Sequence, residues 1–135
     1  MLPKLIDHPL VRISLGVLVG IPLSAVAMVA TPHGLGLGYG GVIKGDPVLI
    51  FAGLMTVTGI VAIYGAWYRL LVPHVKMVAA QARRVRFCLY CGVISSLGLA
   101  GWAGYETEIA LSFALALPAA IGVVLIKGTP IPDAL

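Results

Sequence analysis

Apolar residues run along this chain in four long blocks, and polar residues gather in the intervals between them. The blocks cover roughly residues 13–30, 48–67, 87–105 and 109–126. A helix that crosses a bilayer needs about 20 predominantly apolar residues, so each block is of spanning length. No block alternates polar and apolar positions, and backbone groups in hydrocarbon must pair within their own segment. The pattern therefore predicts an all-α integral membrane protein, with four transmembrane helices in an up-down bundle and a single domain over residues 1–135.

Local signals place the ends. Asp7 precedes Pro9 and serves as a cap for the first span, which stops at Thr31-Pro32-His33-Gly34. A glycine-rich surface loop follows as far as Pro47. Asp46-Pro47 reads as a cap and first-turn proline for the second span. Thr107 is a cap for the fourth span, with Gly128 and Pro130 as its stops. Between spans two and three, residues 75–86 contain no Gly or Pro. Val75, Val78, Ala79, Ala82 and Val85 recur at helical spacing there, predicting a short basic amphipathic helix that either lies on the membrane surface, the favoured reading, or extends span three into the cytoplasm.

Composition agrees with a lipid environment. Charged residues make up 10% of the chain against roughly 25% in a soluble domain, and mean hydropathy is +1.06. The net charge of +4 does not indicate nucleic acid, because the basic residues flank the spans. Lys4, Arg12, Arg69, Lys76, Arg83, Arg84, Arg86 and Lys127 fall on one side, leaving Lys44 alone opposite. The positive-inside rule then puts both termini in the cytoplasm and the protein in the plasma (bacterial inner) membrane. Tyr64, Trp67 and Tyr68 mark the inner interface, and Trp102 and Tyr105 the outer one. Ala25-Val26-Ala27 has the small-residue pattern of a signal cleavage site, but the apolar run continues to Ala30, so the first span is expected to be retained.

Helices in lipid associate through small residues. Gly16, Gly20 and Ser24 in span one, Ala62 and Gly65 in span two, and Ser95 and Gly98 in span three are the expected packing positions. Lys76, Arg83, Arg84 and Arg86 are the expected contacts to lipid headgroups or a partner. Pro22 and Pro118 predict kinks.

Chemical motifs are sparse. Cys88-Leu89-Tyr90-Cys91 is a C-x-x-C whose sulfurs share a helical face. Its cytoplasmic position and small-residue setting favour packing over metal or redox chemistry. Gly36-Leu37-Gly38-Tyr39-Gly40-Gly41 matches a dinucleotide fingerprint without the strand–turn–helix context that gives it meaning. His8, His33 and His74 fall in three connections on two sides of the membrane. No span carries an acid, lysine or histidine near its middle, which removes the usual groups for proton transport and catalysis.

The chain is thus expected to be a non-enzymatic membrane protein without cofactor. It would act as a structural or assembly subunit of a membrane complex, or as a homo-oligomer, with lipid and other membrane subunits or itself as partners and no nucleic acid. Two alternatives are an oligomeric, holin-like pore lined by Ser24, Thr56, Thr58, Ser95 and Ser96, and a thiol-redox or soft-metal protein using Cys88 and Cys91.

Overall fold

The computed structural model describes residues 1–106 and 108–132. They form helices α1 (Leu2–Asp7), α2 (Pro9–Leu15), α3 (Ile21–Lys44), α4 (Pro47–Leu71), α5 (Ala79–Tyr105) and α6 (Ile109–Lys127), with no strand among them. A five-residue π-helical segment, Gly16–Gly20, joins α2 to α3, so Pro9–Lys44 is one continuous 36-residue helix. Four helices are long and apolar enough to cross a membrane: Pro9–Lys44, Pro47–Leu71, Ala79–Tyr105 and Ile109–Lys127. Thr107 and its capping role lie outside the described residues.

Three boundaries differ from the sequence expectation. The supposed glycine-rich loop after Ala30 is helix, with Pro32 inside it. Glycine weakens a helix in water by about 1 kcal/mol relative to alanine. In hydrocarbon the backbone has no competing partner, and the glycines here serve contact instead. A Cβ on Gly38 would lie 2.8 Å from Gly53 Cα, and one on Gly41 2.7 Å from Ile50 N. Gly34 meets Thr56 as closely. The real turn is two residues long. Gly45, at φ +67°, ends α3; Asp46 N donates to Gly41 O at 2.9 Å, and the Asp46 carboxylate accepts from Val48 N at 2.9 Å.

The second difference is the basic stretch. It is not a separate surface helix but the first two turns of α5, continuous with the third apolar block. A 3-10 turn at His74–Lys76 intervenes instead, and Gln81 Oε1 accepts from Val78 N at 3.2 Å to cap the helix. Ala82, Val85 and Leu89 are all buried and make one apolar seam across the junction. The third concerns Asp7, which does not cap the first span: His8 is the N-cap of α2, without a side-chain bond.

The expected kink at Pro22 takes the form of the π segment. Proline offers no N–H to Leu18 O, and its ring crowds that carbonyl. Ile21 N donates to Gly16 O, a one-residue-wider turn that relieves the crowding.

Consecutive long helices pack side by side, and the paired positions run in opposite directions. On α4 and α5, Gly65 meets Cys88, Ala62 meets Gly92, Gly59 meets Ser95, and Met55 meets Gly98. On α5 and α6, Val93 meets Gly122, Ser96 donates to Leu115 O, and Ser112 donates to Ala100 O at 2.7 Å. α3 packs on α4, and α6 on α5, so α3 and α6 are the two edges of the array. A buried cluster of Leu70, Met77, Val85, Leu89, Leu125 and Ile126 closes the basic end.

Candidate functional site

Two features stand out: a polar clasp at the basic end and an apolar cleft above it. The clasp centres on Arg69, in the last turn of α4 and fully buried. Its Nη2 lies 2.7 Å from Asp7 Oδ1 and donates to Gly128 O at 2.8 Å, while Nε donates to Thr129 Oγ1 at 2.9 Å. Nη1 reaches Val72 O at 3.4 Å. Thr129 is itself fully buried and donates its hydroxyl to Leu125 O at 2.8 Å. Asp7 also accepts from His74 N at 2.9 Å and from Val75 N at 3.4 Å.

Every charge in this clasp is matched. Burial alone would raise the Asp7 pKa, but the amide of His74 and the Arg69 guanidinium outweigh it and hold the carboxyl below its ordinary value. Arg12 adds a second tie, donating through Nε to Leu70 O at 2.7 Å and through Nη2 to Leu71 O. Both arginines thus sit on free carbonyls at helix C-termini, where the dipole favours a cation. Ile6, 2% exposed, packs against Gly128, bringing the N-terminal helix onto the end of α6.

The cleft lies between the edges α3 and α6, with α4 and α5 as its floor. Its volume is about 180 Å³, and Ala27, Gly59, Ala62, Gly92, Ser96 and Leu115 are among its walls. Thr56 donates to Ala52 O at 2.9 Å, and Ser95 and Ser96 donate to the carbonyls of Met55 and Leu115. A shallower hollow at the opposite end, lined by Phe51, Trp102 and Tyr105, adjoins a buried Trp102 Nε1 with no partner among the described residues.

The sequence-derived residues fall as follows. Gly16 and Gly20 face the ring of Trp67, whose Nε1 donates to Ser24 Oγ at 2.7 Å. Trp67 therefore packs against the first long helix, and Tyr64 and Tyr105 are exposed. Ala62, Gly65, Ser95 and Gly98 lie in the α4–α5 seam. Lys76, Arg83 and Arg84 are exposed, and Arg86 is half-buried with its guanidinium 5.9 Å from the centre of the Tyr90 ring. Thr58 donates to Met55 O on its own helix at 2.9 Å. Cys88 and Cys91 are free and half-buried, with Cys88 pressed on Gly65. His8 and His33 are exposed, His33 within α3, and His74 Nδ1 lies 3.9 Å from Asp7. Among the described residues no three His, Cys, Asp or Glu side chains converge as metal ligands.

The fold thus defines an all-helical protein with four helices of membrane-spanning length and composition. No protein-family model, curated protein or solved structure matches the chain.

Proposed function

We propose that this chain is a non-enzymatic polytopic membrane protein that serves as a small structural or assembly subunit of a membrane complex, or as a homo-oligomer. Its four helices cross the plasma (bacterial inner) membrane up and down, with both termini and the arginine-rich junction in the cytoplasm. Eight of nine basic residues at one end of the array support that orientation.

The observation that carries the association reading is a second glycine face on α3. Gly34, Gly38 and Gly41 are filled by α4. Gly36 and Gly40 lie on the other side of the same helix, four residues apart, and a Cβ on either would meet nothing within 4 Å. In lipid, a small-xxx-small pair allows close backbone approach, and its contacts are gained only against another helix. Exposed Val29 and Ile43 continue this side of α3. The helix is built to be sandwiched, with one neighbour supplied by its own chain and the other by a partner or a second copy.

The pore alternative draws less support. Ser24 accepts from Trp67, and Thr56, Thr58, Ser95 and Ser96 all donate their protons to backbone carbonyls within the helix array, so these four are engaged in helix and interhelical bonds.

The test is replacement of Gly36 and Gly40 together by Leu. Because both positions are open, the fold should lose less than about 0.5 kcal/mol. Crosslinked oligomer, or the partner that copurifies in mild detergent, should disappear. A wild-type protein that runs alone without partner, or a variant that associates as before, would refute the reading.

A further inference from the structure

The two edges of the helix array are joined at the basic end by α1, and we infer that α1 is a strap that sets the width of the cleft between them. α1 leads through His8 into α2, the inner part of the first long helix. Its other contact is with the far edge. Ile6 is buried against Gly128, the residue that ends α6, and a Cβ on Gly128 would collide with the tip of Ile6. Arg69 is the buckle. Its Nη2 lies 2.7 Å from Asp7 Oδ1 and 2.8 Å from Gly128 O, so one guanidinium grips α1 and the end of α6 together. The amides of His74 and Val75 fix Asp7 from the turn that precedes α5.

At the level of the cleft the edges face each other across apolar walls, Ala27 and Ala30 from α3 and Leu115 and Pro118 from α6. Each edge is attached to its inner neighbour in a different way. Ser96 and Ser112 bond α5 to α6, whereas α3 lies on α4 from Gly34 to Gly41 through glycine contacts. A seam without directional bonds lets one backbone roll on the other, so α3 is the edge that can turn while α6 keeps its place. The π segment Gly16–Gly20 lies between the strapped α2 and α3, and such a widened turn is where a helix bends. Trp67 is the pivot, its ring covering Gly16 and Gly20 and its Nε1 bonded to Ser24. With the strap fastened, α3 and α6 stand at one separation; with it released, α3 turns about the π segment and the cleft widens. This inference is independent of the association reading, because it concerns contacts within one chain.

Spin–spin distances measured by pulsed electron resonance on the full chain in micelles test the inference, with Cys88 and Cys91 replaced by Ala and labelled protein diluted with unlabelled. One label pair, Val29→Cys with Leu117→Cys, reads α3 against α6; a second, Leu54→Cys with Leu97→Cys, reads α4 against α5, and all four positions are exposed. Asp7→Asn and Ile6→Ala should each lengthen the α3–α6 distance by more than about 2 Å, beyond the 1–2 Å of an ordinary helix shift, and leave the α4–α5 distance unchanged. Leu5→Ala, on the exposed side of α1, should change neither. If Ile6→Ala loses its helical circular dichroism, Asp7→Asn is the readout, because it retains an acceptor for the His74 and Val75 amides. An α3–α6 distance that stays at the wild-type value in the folded variants would overturn the inference. So would an equal change in both label pairs, which would mean that the whole array has loosened, or a lengthening in Leu5→Ala.

Discussion

Removing the carboxylate of Asp7 should unlatch both ends of the chain from α4. In Asp7→Ala the fully buried Arg69 loses its counter-ion, and His74 N and Val75 N lose their acceptor. Breaking a buried pair from one side costs about 3–5 kcal/mol. Arg69 keeps Gly128 O, Thr129 Oγ1 and Val72 O, and Asp7 is 12% exposed, so the lower end applies. The expected loss is about 3 kcal/mol, roughly a 150-fold shift in the folding equilibrium. Asp7→Asn keeps an acceptor for the amides and loses only the charge, for about 1–2 kcal/mol. Arg69→Met alone should cost a similar 2–4 kcal/mol, because it leaves Asp7 without a cation and Gly128 O without a donor. The double variant, Asp7→Ala with Arg69→Met, should cost less than the sum of the two single losses, since neither charge is left buried alone, although the His74 and Val75 amides and Gly128 O stay without their partners.

Denaturation in detergent micelles, followed by helical circular dichroism, gives the cycle. A coupling below about 0.5 kcal/mol would show that the pair is not coupled and refute the reasoning. The same assay carries a pH signature. The folded-state pKa of Asp7 is depressed below 3.8, so its contribution is fully present above that value and is lost as pH falls through the folded pKa. The advantage of wild type over Asp7→Asn should be flat above pH 3.8 and shrink below it. An advantage that instead grows on acidification would reverse the assigned direction.

Three further outcomes follow from single contacts. Trp67→Phe and Ser24→Ala each delete one interhelical hydrogen bond, so each should cost about 0.6–1.7 kcal/mol and the pair no more than either alone; additive losses would show the bond is not shared. Gly38→Ala drives a Cβ to 2.8 Å from Gly53 Cα and should destabilise by about 1–3 kcal/mol in thermal melts, while Gly36→Ala should be neutral in them. Replacing Cys88 and Cys91 together by Ala should preserve fold and association, because Cys88 acts by packing on Gly65; a loss of function in the folded variant would restore the thiol alternative.

The four spans were legible because a 20-residue hydropathy average is insensitive to any one residue. Their ends were not, and the reasons are physical. The run from Gly34 to Gly41 carries the composition of a loop in water, but here it is a contact surface for α4, a tertiary property with no local mark beyond its spacing. The periodicity of residues 75–86 fits a surface helix and an extension of span three equally well. What decided between them was the absence of any Gly or Pro at the junction and the buried continuity of Val85 with Leu89. The clasp joins residues 62 positions apart, beyond the reach of any local pattern, although one signal is present. An arginine at the edge of an apolar block needs a counter-ion, and Asp7 is the acid nearest the basic flanks in sequence.

The division of interhelical bonding predicts which helix moves. Ser95 ties α5 to α4, and Ser96 and Ser112 tie α5 to α6, each by donating to a neighbouring carbonyl. Beyond Gly20, α3 has one such polar bond, at Ser24 near its inner end, and from Gly34 to Gly41 it is held by glycine contacts alone. Van der Waals contact without a directional bond stabilises a pair only while the two backbones stay close. The outer half of α3 should therefore open more readily than α5, whose both flanks are bonded. Hydrogen exchange in micelles should show faster exchange for residues 30–44 than for residues 89–100, and association through Gly36 and Gly40 should slow it. Equal protection of the two segments in the dissociated protein would mean that the glycine seam holds as firmly as the serine bonds, and α3 would then be a rigid wall of the cleft and not its movable edge.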